Sequence, residues 1–149
     1  MSVEVRVVDV ADIEPLLVLR EEVFCAEQGV PVELERDAHD ATAVHLAAYV
    51  DGALMGTCRL LRGPELWKLG RMAVRSAARG TGVGRALLVR AEHHAREAGA
   101  RRLGFTAQTQ AIRFYAGAGY RTSGGLLDDA GIPHVWMERS LWDAGGAPA

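Results

Sequence analysis

The chain has 149 residues, 49% of them apolar and 24% charged, which suits one folded domain that buries about two thirds of its unfolded surface and carries no signature of disorder. A net charge of −2 with histidines neutral excludes a broad cationic footprint for nucleic acid, and no stretch approaches the roughly 20 apolar residues of a membrane span, so neither is expected as a partner. Cys25 and Cys58 lie far apart with no metal-ligand spacing and no secretory leader before them, so free thiols, no metal and a cytoplasmic location are expected.

Val3, Val5 and Val7 alternate with Glu4 and Arg6 at the period of a half-exposed strand. Asp9 or Asp12 can cap a helix whose apolar face holds Ile13, Leu16, Leu17, Leu19 and Val23, with Pro15 tolerated in its first turn. Glycine and proline then break the pattern through Phe24–Pro31, and the acidic segment 33–40 follows as loop or broken helix. Its carboxylates read equally as a solvated connection or as a wall facing a ligand. Residues 44–50 and 53–61 are strands joined by Asp51-Gly52, a strong two-residue hairpin signal. A second turn at Gly63-Pro64 leads into a long strand over 66–74, so three antiparallel strands precede what comes next.

After that strand, Arg79-x-x-Gly82-x-Gly84 opens a helix, with Gly80 and Thr81 inside the turn and Val83 and Arg85 beside it. Glycines bare the backbone there, so several N–H groups can converge on one anion at a positive helix end. The loop is not a Walker A, which needs Gly-Lys-Ser/Thr, nor a dinucleotide fingerprint, since Leu87 stands where a third glycine belongs. Leu87, Leu88, Ala91, Ala95 and Ala98 form the helix's apolar stripe, Gly99 stops it, and His93 and His94 are read as exposed. A buried strand at 102–107, a short helix from about Gln110 to Ala116 and a closing hairpin of 120–123 with 134–138 complete the domain over 1–142, with Phe114 expected in the core. Strand, helix and strand in alternation call for one parallel pair. Residues 143–149 read as a frayed tail.

Two blocks carry a resemblance. Arg79-x-x-Gly82-x-Gly84 is similar to the pyrophosphate loop of the GNAT N-acetyltransferase superfamily, and Gln108-x-x-Ala111-x-x-x-Tyr115-x-x-x-Gly119-Tyr120 is similar to its next motif, usually begun by Asn. Val23, Phe24, Glu27 and Gln28, with Glu35, Asp37 and Asp40, resemble the ElaA-type branch, as does the stretch Asp129-Ala130-Gly131-Ile132-Pro133-His134. The resemblance implies an α/β fold with a mixed sheet of six to seven strands, splayed between the fourth and fifth, and about four flanking helices. It implies acetyl-coenzyme A as co-substrate, held by the loop from Arg79 to Arg85, by Gln108, Ala111 and Tyr115, and by the strand edge Met72, Ala73 and Val74, which would bond the pantetheine arm as an added strand.

Direct attack by an amine on a thioester needs a proton donor for the leaving thiolate, and Tyr115 fits that role as a phenol that keeps its proton at neutral pH. Glu27, Glu35, Asp37, Asp40, His45 and His134 are all available as a base, with Glu27 the first choice. Glu27, Gln28, Asp37, Asp40 and His134 are expected to wall the site of a small-molecule amine, and the carboxylates favour a cationic one. A non-catalytic acyl-coenzyme A module and a protein acetyltransferase stay open as alternatives, as does a homodimer.

Overall fold

The computed structural model describes residues 1–129 and 131–149, and the side chain of Asp129 is likewise left aside. Ala130, within the Asp129–His134 stretch, lies outside the described residues. Seven strands form one sheet: β1 (Val3–Val8), β2 (Val44–Val50), β3 (Ala53–Leu61), β4 (Leu66–Val74), β5 (Arg102–Gln108), β6 (Arg121–Asp129) and β7 (Ile132–Ser140), in the spatial order β1-β2-β3-β4-β5-β7-β6. Four α-helices flank it: α1 (Glu14–Arg20), α2 (Val32–Glu35), α3 (Val83–Glu97) and α4 (Ile112–Gly117).

Alternation decides which faces are covered. On one face, Leu46, Leu60, Leu69, Leu103 and Met137 are buried with Val83, Leu87, Leu88, Ala91 and Ala95 of α3. Gly56 makes this fit close, because a Cβ there would lie 2.9 Å from a Val83 methyl. On the other face α1 packs Leu16 and Leu17 on Ala47, while Leu19 and Val23 pack on Ala73. The expected capping by Asp9 serves a single 3-10 turn before α1, where its side chain accepts from the Ala11 N–H. α1 does not stop at the apolar stripe: it continues as a π-type helix over Glu21–Glu27, which carries Phe24 and Glu27 on toward the sheet's centre.

The sheet is antiparallel except between β4 and β5, as the chain order requires. That parallel pairing covers only Leu66 with Arg102, Trp67 with Leu103 and Lys68 with Gly104. Beyond Lys68 the strands part, because β5 stays bonded to β7 along its whole length while β4 follows β3. A bulge adds to the divergence. Thr57 opposes Ala73 and Arg59 opposes Gly70, so β4 spends three steps against two on β3, and Arg71 takes up the extra residue at φ 52°.

Residues 143–149, read from the sequence as a frayed tail, turn back on the domain. The Ala149 N–H donates to the Leu141 carbonyl, the Asp143 N–H donates to the Ala147 carbonyl, and Trp142 bridges Pro148. Phe114 is likewise corrected: it is 43% exposed, and Tyr115 takes the inward position beside it.

Candidate active site

The turn between β4 and α3 leaves main-chain donors at a helix start without a side-chain cap. Gly80 and Gly82 have φ of 76° and 90°, a region where an L side chain is strained, and Gly82 is the N-cap of α3 with no side chain capping the helix. The first-turn amides of α3 are therefore left for an outside acceptor at the positive end of a 15-residue helix. The Thr81 hydroxyl donates to the Ala78 carbonyl and closes the turn. Arg85 is exposed next to it, and Arg79, also exposed, donates from Nε to the Val74 carbonyl at 2.9 Å.

Where β4 and β5 separate, a cavity of about 590 Å³ opens. Met72 of β4, Gln108 of β5 and Ala111 and Tyr115 around α4 line one part of it; Phe24, Gln28 and Leu34 close it from the helical side. Past Lys68 the edge of β4 has no strand partner on the β5 side, so its peptide groups there face the cleft. The Gln108 amide reaches across, donating to Gln28 Oε1 at 3.2 Å.

Tyr115 and His134 are two of the titratable side chains that line this cavity. Tyr115 packs on Phe105 with ring centroids 4.3 Å apart, and its hydroxyl has no hydrogen-bond partner among the described residues. Burial pushes its phenol up to about 12. His134 is 8% exposed, with Nδ1 at 2.8 Å from the Ile132 carbonyl. A carbonyl cannot donate, so Nδ1 carries a hydrogen, and the tautomer this contact selects has its lone pair on Nε2. Nε2 has no partner among the described residues.

Behind the helical wall lies a buried ion network. Arg20, 1% exposed, donates to Glu35 Oε1 at 2.5 Å and to Asp40 Oδ1 at 2.8 Å. Arg59 donates to both oxygens of Asp37 and to Asp40 Oδ1, at 2.7, 2.8 and 2.8 Å. Burial alone would raise the Asp40 pKa, but the hydrogen bonds from Arg20 and Arg59 outweigh it and hold the carboxyl below the usual range. The hydrogen bonds from Arg59 lower Asp37 in the same direction.

The overall fold is shared with known proteins. The acetyltransferase (GNAT) domain model matches residues 8–141. The chain belongs to the GNAT acetyltransferase family. YjcF of Bacillus subtilis, described as an uncharacterized N-acetyltransferase, is 38% identical over 120 residues, 80% of this chain and 86% of that protein. An acyl-CoA N-acyltransferase from Pseudomonas aeruginosa superposes with a TM-score of 0.82 at 31% identity, covering 93% of this chain and 99% of that one. Escherichia coli ElaA does so at 0.81 and 26%, with the same coverage. The chain is thus a GNAT acyltransferase, and the ElaA-type likeness read from the sequence is met by ElaA itself.

Of the residues singled out from the sequence, Met72, Gln108, Ala111, Tyr115, Gln28 and His134 line the cavity. Ala73 buries its side chain with Leu19 and Val23, and its expected contact to the coenzyme arm is one of main chain. Glu27 forms an ion pair with Arg79, so it stands at the turn before α3 rather than in the cavity. Asp37 and Asp40 spend their oxygens on arginines, and neither lines the cavity. His45 is 1% exposed, with Nε2 at 2.9 Å from the Asp40 carbonyl, and is closed off from any substrate. The arginines were missed from the sequence. The signal was present: Arg20 ends the apolar run of α1, and Arg59 stands opposite His45 in the middle of β3 between Cys58 and Leu60, so each had to be buried and to demand carboxylates.

Proposed function

We propose that this GNAT enzyme transfers an acetyl group from acetyl-coenzyme A to the primary amine of a small molecule by direct attack in a ternary complex. One observation carries the reading: β4, whose edge past Lys68 has no β5 partner and whose Met72 lines the Tyr115–His134 cavity, leads directly into the turn before the uncapped start of α3. The P. aeruginosa relative, an acyl-CoA N-acyltransferase, supports the donor class. The diphosphate would rest on the Gly80–Gly84 turn with Arg79 and Arg85 adding charge-assisted contacts, and the arm would lie along the unpaired edge of β4. The oxyanion formed on attack would meet a peptide N–H between Met72 and Val74.

His134 replaces Glu27 as the base in this reading. Its Nε2 lone pair can take the proton from the attacking nitrogen, directly or through one water, while the Ile132 carbonyl fixes the tautomer. Tyr115 acts differently from a full proton donor. From a phenol near 12, moving the proton to a thiolate whose thiol titrates near 8.5 would be uphill by roughly 5 kcal/mol. The hydroxyl therefore serves by hydrogen-bonding the sulfur as negative charge develops, and solvent supplies the thiol proton. The experiment is release of free thiol on mixing the protein with acetyl-coenzyme A and an amine panel. Tyr115→Phe should lower kcat about 10²-fold with little change in coenzyme affinity. Coenzyme binding with no thiol release on any amine would overturn the reading.

A further inference from the structure

The walls of the cavity also bear on what the acceptor carries besides its amine, an inference that rests on the acetyl-transfer reading. Among the described residues, Glu35 is the carboxylate that lines the cavity, and it and its acidic neighbours are already engaged. Glu27 faces Arg79, Glu35 is 1% exposed and bound by Arg20, Asp40 lies between Arg20 and Arg59, and Asp37 is gripped by Arg59 and Arg71. Three guanidinium groups thus balance Glu35, Asp37 and Asp40, and the cation left over is Lys68.

Lys68 lines the cavity from β4 and has no carboxylate partner among the described residues. Arg71, the residue after Gly70, also lines it and spends most of its donors on neutral carbonyls, those of Leu34 at 3.4 Å and Glu35 at 3.0 and 3.1 Å, with Asp37 at 3.2 Å as its one carboxylate hydrogen bond. Arg59, which also lines the cavity, keeps a fully buried Nε without any acceptor. Burial is the main cause that lowers the Arg71 pKa, with Arg59 and Arg20 adding to it and Glu35 and Asp37 opposing it. Between Lys68 and Arg71, Gly70 leaves the floor bare, since a Cβ at that position would have no atom within 4 Å.

We propose that the acceptor is an anionic amine, whose carboxylate or phosphate is seated over Gly70 by Lys68 and Arg71 while its nitrogen points toward His134. Lys68 and Arg71 are then specificity residues, and the expectation of a cationic acceptor is reversed. A compact ammonium and a planar guanidinium over an open floor suit an oxyanion, whereas a second cation there would add to an existing surplus.

The test uses matched pairs that differ in the anionic group: 4-aminobutyrate against butylamine, phenylalanine against phenylalaninamide, and glucosamine 6-phosphate against glucosamine. Each is titrated calorimetrically into the full chain saturated with coenzyme A, and kcat and KM are measured for each with acetyl-coenzyme A. In at least one pair the anionic member should bind tenfold or more tightly, the responding pair telling carboxylate from phosphate. Lys68→Met should bring that ratio near one by raising KM for the anionic member while its kcat changes little. Lys68 is exposed, so the variant keeps the packing of β4. Arg71→Gln should act in the same direction. Neutral members binding equally or better in every pair, no anionic member binding at all, or a ratio that survives Lys68→Met would each overturn the proposal. Failure of acetyl transfer itself reads separately, as coenzyme binding without thiol release, while the binding ratio is still measured.

Discussion

At the scale of single residues, position favours His134 over Glu27 as the proposed base. A carboxylate and an imidazole are both competent bases, and only position separates them: Glu27 is paired with Arg79 at the turn before α3, and His134 lines the cavity with its tautomer fixed. His134→Gln should therefore lower kcat by 10²-fold or more while leaving coenzyme affinity in place. Glu27→Gln should do the reverse. It frees Arg79 for the diphosphate, and because the pair is exposed on both sides its rupture is worth about 0–1 kcal/mol, so the coenzyme Kd should fall by up to about fivefold with kcat held. Steady-state kinetics and calorimetry on the two variants check both statements. A collapse of kcat in Glu27→Gln with His134→Gln active would return the base to Glu27.

Among the elements, those specified by local chemistry were legible. The Asp51-Gly52 turn, with φ of 49° and 87°, pairs Val50 with Ala53 as a two-residue hairpin, and Gly99 at 92° ends α3. The single parallel pair followed from the alternation of strand and helix. What stayed hidden depends on contacts between distant parts of the chain. The π-type continuation of α1 is one case, since no local periodicity announces an i to i+5 register. The arginine network is another, with Arg20 and Glu35 15 residues apart, and the turned-back tail adds an Arg96 contact to Ala149 53 residues away to its own short-range bonds. The candidate site divides the same way: the loop and Tyr115 announce themselves by spacing, whereas Lys68 and Arg71 acquire meaning only once β4 is bulged beside the cavity. Gly82 tests the loop as an element. Gly82→Ala puts a Cβ at φ 90°, costs about 1–2 kcal/mol, and should weaken coenzyme binding more than tenfold because the amides lose their alignment. Unchanged coenzyme affinity in a folded Gly82→Ala protein would show that the diphosphate sits elsewhere.

For the whole molecule, the buried network ties the acidic helical segment to the sheet, and so links stability to pH. Arg20 belongs to α1, Glu35 to α2, Asp37 and Asp40 to the following turn and Arg59 to β3, so three separate pieces of chain meet at charges that burial makes costly to leave unpaired. Asp37 and Asp40 both titrate below their ordinary range in the folded state. A depressed folded pKa means that the unfolded chain binds the protons more readily. The two carboxylates therefore contribute their full stabilisation above the unfolded value near 3.9, and lose it as pH falls from there toward the folded values. Asp40→Asn should cost about 3–5 kcal/mol at pH 7, since it leaves Arg20 and Arg59 short of a buried counter-charge. The same variant should shed part of its disadvantage in acid, because the substituted amide has no proton to gain while the wild-type carboxylate is being neutralised. Urea unfolding of both proteins at pH 7, 4 and 3 measures the gap. A gap that narrows below pH 4 places the linkage at Asp40; a gap that stays constant down to pH 3 means the network titrates outside this range and acid stability is set elsewhere in the fold.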